Sequence, residues 1–218
     1  MSSRRAVLWD MDGTLIDSQE YHWISWRDAL FAEGITITHD QFLSTFGQRN
    51  DSILTQWLGT PSRHLIEKIG NTKEEIYRKL VRERGIEPLP GVAKWVRQLH
   101  EQGWLQAIAS AAPRKNIEVV LDALSAAHRF QAIVSAEDVS RGKPDPEVYL
   151  KAADRVTVLP GQCIVVEDAA AGVEGARAAG MKSIGVAHNG KHLAADLAVL
   201  SLDLLEDNAF AALLESGH

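Results

Sequence analysis

One cysteine, Cys163, stands among 218 residues, which excludes an internal disulfide and any zinc site built from several thiolates. No apolar run approaches the roughly 20 residues a membrane-spanning helix needs, so no membrane partner is expected. No run of lysine and arginine stands out, and the formal net charge of −6 argues against a general nucleic-acid binder. A leader is not expected either, because Met1-Ser2-Ser3-Arg4-Arg5 runs directly into the first apolar stretch. These absences point to a cytoplasmic protein, a monomer or weak dimer. The apolar share of 45% and charged share of 24% are ordinary for a globular chain. The length suits one ample core with a sizeable insertion.

What is present gathers first at Ala6–Ser18, AVLWDMDGTLIDS. Four apolar residues without polar alternation suit a strand buried on both faces, as in a parallel α/β sheet. That strand ends in Asp10, with Asp12 two residues on. Ligands bind at the open ends of such strands, but a carboxylate placed there is costly to desolvate unless something compensates. A divalent cation, a shared proton or separate roles for the two acids would each answer that cost.

From Gln19 to about Arg84 the pattern is helical, with segments near Trp23–Phe31, Asp40–Phe46, Asp51–Leu58, Pro61–Ile69 and Thr72–Arg84. Pro61 suits a first helical turn, and Thr72 with Glu75 suits a capping box. From Pro88 onward strands and helices alternate. Strands are expected at Trp104–Ser110, Ala132–Ser135, Gln162–Asp168, Lys182–Ala187 and Ala198–Leu202. Helices are expected at Val92–Gln102, Lys115–Leu124, Pro146–Arg155, Ala170–Ala179 and Asp207–Glu215. The expected fold is α/β, a Rossmann-like, doubly wound parallel sheet with an inserted all-helical cap. Residues 1–17 and 88–218 would form the discontinuous core, and residues 18–87 the cap.

Polar groups sit at or just beyond the ends of these strands: Asp10 and Asp12, Ser110, Lys143 in Gly142-Lys143-Pro144-Asp145-Pro146, and Glu167-Asp168. In a parallel sheet those ends share one edge. Oxygen ligands from Asp10, Asp168 and Glu167 favour Mg²⁺. Lys143 offers a point charge and Ser110 a hydroxyl, with Ala111 beside it. Amides of the turn after Asp10, at Met11 and Gly13, suit an anion-binding nest. Phosphoryl transfer fits this set, with one carboxylate attacking phosphorus and the other moving protons.

The segments DMDGTLIDS, the Ser110 strand end, GKPDP and VVEDAAAGVEGA resemble the four motifs of the haloacid-dehalogenase-like superfamily, phosphatase branch. The resemblance spans the chain, and it places the cap where members with a small helical cap carry theirs. It implies Asp10 as nucleophile and Asp12 as general acid/base. It also implies Mg²⁺ on Asp10, the Asp12 carbonyl and Asp168, with Glu167 a ligand or a group behind one. Ser110 and Lys143 would hold the phosphate. Asp12 itself disfavours a dehalogenase, since those members lack the second acid.

Asp10 through His22 and Trp26 is similar to the β-phosphoglucomutase and sugar-phosphatase branch, with Gly47, Arg49 and Lys73 in substrate-facing cap positions. Thr14 and Ala112-Pro113-Arg114 depart from the mutase pattern, and Asn116 is displaced by two. The expected function is a Mg²⁺-dependent phosphatase acting on a small phosphorylated metabolite, a sugar phosphate for preference, through an aspartyl-phosphate. A phosphosugar mutase and a non-catalytic binding protein on the same fold are the alternatives.

Plainer readings stand beside these. Asp17 and Ser18 suit a hinge and a helix cap. His22 could orient Asp12 or pack between Trp23 and Trp26, and Arg49 could meet substrate or pair with Asp51. Arg114 suits a solvated helix start and His188 a polar loop. Most tryptophans read as core, an exposed Trp57 would hint at a dimer, and Cys163 reads as an inert buried thiol.

Overall fold

The computed structural model describes residues 4–188, 190 and 192–216. Its centre is β1 (Ala6–Trp9), buried along its whole length. Successive side chains of a strand point to opposite faces. Val7 and Trp9 therefore enter one apolar layer, while Ala6 and Leu8 enter another. The remaining strands are β2 (Leu105–Ala109), β3 (Ala132–Val134), β4 (Cys163–Glu167), β5 (Lys182–Val186) and β6 (Leu197–Val199). They line up as β3-β2-β1-β4-β5-β6, and every neighbouring pair is parallel. Helices α5 (Val92–Glu101), α6 (Arg114–Ala123) and α9 (Ala209–Glu215) bring Trp95, Ile117 and Phe210 to the Val7/Trp9 face. Helices α7 (Glu147–Arg155) and α8 (Ala170–Ala178) bring Tyr149, Ala152 and Ala176 to the other. The expected doubly wound sheet is the one observed.

Between β1 and β2 the chain forms α1 (Gln19–Phe31), α2 (His39–Thr45), α3 (Asn50–Leu58) and α4 (Arg63–Arg84). These helices close on their own apolar cluster, which includes Trp26, Leu30, Phe42, Leu54 and Ile69. The chain leaves and re-enters the sheet at adjacent points, because the Leu89 amide donates to the Leu15 carbonyl at 2.9 Å.

Several local expectations need correction. The segments Pro61–Ile69 and Thr72–Arg84 are one continuous helix, α4. Its N-cap is Ser62, whose hydroxyl accepts from the Leu65 amide, so Pro61 lies outside the helix and Thr72 in its interior. Gly70, between the two expected segments, is buried with Asn50 of α3 close by. Packing of that kind outweighs the modest helix penalty of one glycine. The last strand ends at Val199 rather than Leu202. Leu202 instead begins a short turn, Leu202–Leu204, whose first carbonyl accepts from Trp95 Nε1 at 2.8 Å. Trp57 packs edge-on against Trp26 and belongs to the helical core. Among the described residues no helix is long and apolar enough to cross a membrane.

Candidate active site

The carboxyl ends of the central strands meet at one edge. Asp10 follows β1, Ser110 follows β2, and Glu167 closes β4 with Asp168 next to it. Lys143 comes from the loop between β3 and α7, its peptide bond to Pro144 being cis. Its Nζ donates to Asp10 Oδ1 at 2.5 Å and pairs with Glu167. Asp10, Glu167 and Asp168 each present an oxygen, and these oxygens lie within 4.8 Å of one another.

The polypeptide is shaped for this crowding. Gly13 has φ +85°, a left-handed conformation that favours glycine, and a Cβ there would meet Asp168 Oδ2 at 2.2 Å. A Cβ on Gly172 of α8 would meet Glu167 Cδ at 2.0 Å. Glu167 is held from several sides: Tyr149 donates its hydroxyl at 2.7 Å, and the Asp168 and Ala169 amides donate at 3.1 and 3.2 Å. Thr14 donates to Asp168 Oδ1 at 3.3 Å. The Lys143 ammonium also sits over the Tyr149 ring, 5.3 Å from its centre.

Electrostatics here is one of shortage. Burial pushes the Asp10 carboxyl well above its usual range, and the charges on Glu167 and Asp168 add to the rise, against the opposing pull of Lys143. Burial, then Glu167, lifts Asp168 to about 7. Burial works against the charge on Lys143, but Asp10 and Glu167 outweigh it and hold the ammonium well above its ordinary value. One lysine among three acids leaves negative charge unanswered. That is the environment a hard, oxygen-seeking divalent cation fits.

Asp12 is placed differently. Ser18 donates to its Oδ1 at 2.5 Å, and His22 Nε2 lies 3.1 Å from the same oxygen. Burial would raise this carboxyl, but His22 and Ser18 together bring it below its usual value. Ser18, expected to cap α1, spends its side chain on Asp12 and makes no cap bond. His22 does not pack between Trp23 and Trp26; it stacks on Tyr77 at 4.3 Å and meets Phe46 edge-on. Asp12 lines two adjoining cavities. One also holds Asp10, Ser110, Lys143, Glu167 and Asp168; the other opens beneath the helical block, against Trp26, Phe42, Lys73 and Glu74.

The phosphate-site expectations fare unevenly. Ser110 is buried and Ala111 lines both cavities. Met11 is wholly buried, its carbonyl accepting from the Leu15 amide at 2.9 Å. The Gly13 amide is committed to the Ile16 carbonyl at 2.9 Å, so it is not free to join a nest. Arg49 reaches the Val139 carbonyl across the cleft at 3.3 Å and pairs with Asp51 at 3.4 Å, while also lining the acidic cavity. Lys73 is buried against Glu74 at 2.8 Å. Arg114 is not simply solvated: it bonds Asp138 at 2.7 Å. His188 donates from its ring to the Gly13 carbonyl at 3.0 Å, which puts it at the rim of the site. Cys163 is buried and its thiol is pushed up to about 12 by that burial, as an inert thiol should be.

Sequence reasoning missed Tyr149, Asn50 and Glu74, and named Asn116 only as displaced from the mutase pattern. Glu74 is buried and accepts from Lys73, from Asn50 Nδ2 at 2.7 Å and from Asn116 Nδ2 at 2.5 Å. Asn116 belongs to α6 beside the sheet, so these bonds join the helical block to the core.

The arrangement has relatives. A family model described as haloacid dehalogenase-like hydrolase matches residues 7–186. Beta-phosphoglucomutase of Bacillus subtilis is 30% identical over 220 residues, covering 93% of this chain and 94% of that protein. Hexitol phosphatase B of Escherichia coli is 32% identical over 186 residues, covering 82% of each. Among solved structures, beta-phosphoglucomutase from Clostridium difficile superposes with a TM-score of 0.86 at 27% identity, covering 98% of both chains. CbbY from Rhodobacter sphaeroides, in complex with phosphate, gives 0.85 at 25%, covering 93% of this chain and 96% of its own. The likeness runs along nearly the whole chain, which belongs to the haloacid dehalogenase-like hydrolases.

Proposed function

We propose that this hydrolase is a Mg²⁺-dependent phosphatase acting on a small phosphorylated metabolite of the sugar-phosphate kind. The observation that carries the reading is the division of labour between two acids two residues apart. Asp10 lies in the acidic cavity beside Lys143, while Asp12 stands where that cavity meets the one under the helices. A phosphate held by Lys143 and Ser110 places phosphorus near Asp10 and its alcohol toward Asp12.

The residues fit magnesium. Asp10, Asp168 and the Asp12 carbonyl would hold it, with Glu167 behind them, since Glu167 is already engaged by Lys143, Tyr149 and two amides. When bound, the ion supplies positive charge that lets a carboxylate approach a phosphate. Asp10 then attacks phosphorus in line, forming an Asp10–phosphate bond as the ester P–O bond breaks. The departing oxygen takes a proton from Asp12. Ser18 and His22 keep Asp12 ionised in the open chamber, and the charge of a bound phosphate raises its proton affinity. In the second half Asp12 removes a proton from water, which attacks the phosphorus; phosphate leaves and Asp10 is restored.

Helices α1–α4, residues 18–87 of the chain, act as a cap that opens for substrate and closes over it. His22, Arg49 and Lys73 lie on it and face the cleft, and Arg49 bridges to the core loop. A phosphosugar mutase is the second reading, favoured by the likeness to beta-phosphoglucomutase. It would need to keep a second phosphate and exclude water, and Ala112 and Pro113 offer the inner cavity no cation for that task. A phosphate-release screen over sugar phosphates, with and without Mg²⁺, decides the matter. Free phosphate that depends on Mg²⁺ supports the phosphatase; isomerised sugar phosphate without net release supports the mutase.

A further inference from the structure

The cavity under the helices has an unusual charge arrangement for a protein whose substrates are anions. Lys73 is the one lysine or arginine lining it among the described residues, and that ammonium is already paired with Glu74 at 2.8 Å. Asp12 supplies further negative charge at its floor. The walls include Trp26, Phe42 and Ile53, all buried, which lower the local dielectric and strengthen every charge interaction inside. Burial would raise the Glu74 carboxyl, but Lys73 and His22 outweigh it and hold it below its ordinary value, so it stays ionised.

We propose that Glu74 is a specificity-determining residue: its carboxylate admits an uncharged, hydroxyl-bearing leaving group and excludes one that carries a second phosphate. This rests on the reading of the Asp12 side as the leaving-group chamber. A second phosphate there would face Glu74 and Asp12 together, while the one lysine lining the cavity among the described residues is already paired with Glu74. Like charges juxtaposed in a desolvated site are strongly unfavourable. A hydroxyl meets no such barrier. Glu74 uses three of the roughly four acceptor positions of a carboxylate, on Lys73, Asn50 and Asn116. One position remains for an alcohol O–H. Rejection is thus built by a repulsive group as well as by the fit of an attractive one.

The test is a matched pair, fructose 6-phosphate and fructose 1,6-bisphosphate, with wild-type protein and Glu74→Gln. The wild type is expected to prefer the monophosphate in kcat/KM by roughly tenfold or more. Glu74→Gln is expected to shrink that preference by roughly tenfold, mainly through a lower KM for the bisphosphate. A purely structural part for Glu74 in joining cap to core would depress both substrates together and leave the ratio unchanged, which overturns the proposal. Equal use of the two compounds by the wild type overturns it without any variant. If neither is hydrolysed, the phosphatase reading is still decided by the wider phosphate-release screen, and titration of tryptophan fluorescence with the same pair decides Glu74. A monophosphate preference that Glu74→Gln removes upholds it; equal affinities overturn it.

Discussion

Lys143 Nζ lies 2.5 Å from Asp10 Oδ1, and the same ammonium pairs with Glu167, so one cation bridges carboxylates at the ends of different strands. Removing it leaves two buried acids without their partner. Lys143→Met is expected to lower stability by on the order of 3 kcal/mol in metal-free protein. Added Mg²⁺ should recover part of that loss, since it answers the same negative charge. Thermal denaturation with and without Mg²⁺ reads both effects, and a variant as stable as wild type in EDTA would count against the bridge.

Asp168→Asn should raise the Mg²⁺ concentration needed for half-maximal phosphate release by roughly tenfold or more, the scale expected when a metal carboxylate or its support is lost. The measurement is a Mg²⁺ titration of activity. An unchanged midpoint would remove Asp168 from the proposed ligand set.

Gly172→Ala should disturb Glu167 from behind. Its added Cβ would fall 2.0 Å from Glu167 Cδ, a distance no relaxed structure tolerates. Overpacking of this kind typically costs about 1–3 kcal/mol. Activity is expected to fall with stability, and a silent substitution measured by urea denaturation and phosphate release would show that Glu167 can move freely.

Asp138 ties the loop ahead of Lys143 to the core, accepting from Arg155 at 2.6 Å, from Arg114 at 2.7 Å and from the Ser135 amide and hydroxyl. The Arg155 bond first, and the Ser135 bonds with it, hold this carboxyl well below its usual range. A depressed folded pKa contributes stability above the unfolded value, about 3.9, and loses it as pH falls toward the folded one. Asp138→Asn should therefore cost about 1 kcal/mol at pH 7, a figure kept small by solvent screening of the cluster. The gap between variant and wild type should narrow below about pH 4. Urea midpoints at pH 7 and pH 3 test the sign.

Much of this was legible in the chain itself, and the reasons are physical. Unbroken apolar runs ending in acids announce buried parallel strands, so the edge holding Asp10, Ser110 and Asp168 could be read before any coordinates. Contacts made across tertiary space could not. The α4 helix runs through Gly70 because that glycine is buried beside Asn50, a condition local propensity does not encode. Gly13 looked like a phosphate-binding amide, but its N–H closes a turn onto Ile16 while its missing side chain makes room for Asp168. Glu74 and Asn116 stand 42 positions apart and show their meaning only when cap and core meet.

In the proposed reaction Asp10 carries the phosphoryl group in passing. Rapid acid quenching of the enzyme during turnover of a ³²P-labelled sugar phosphate, followed by peptide mapping, tests it most directly. A hydroxylamine-labile label is expected on the peptide containing Asp10, absent in Asp10→Asn, which should also release no phosphate. Unlabelled protein during rapid turnover, a label elsewhere, or an Asp10→Asn variant as active as wild type would contradict it.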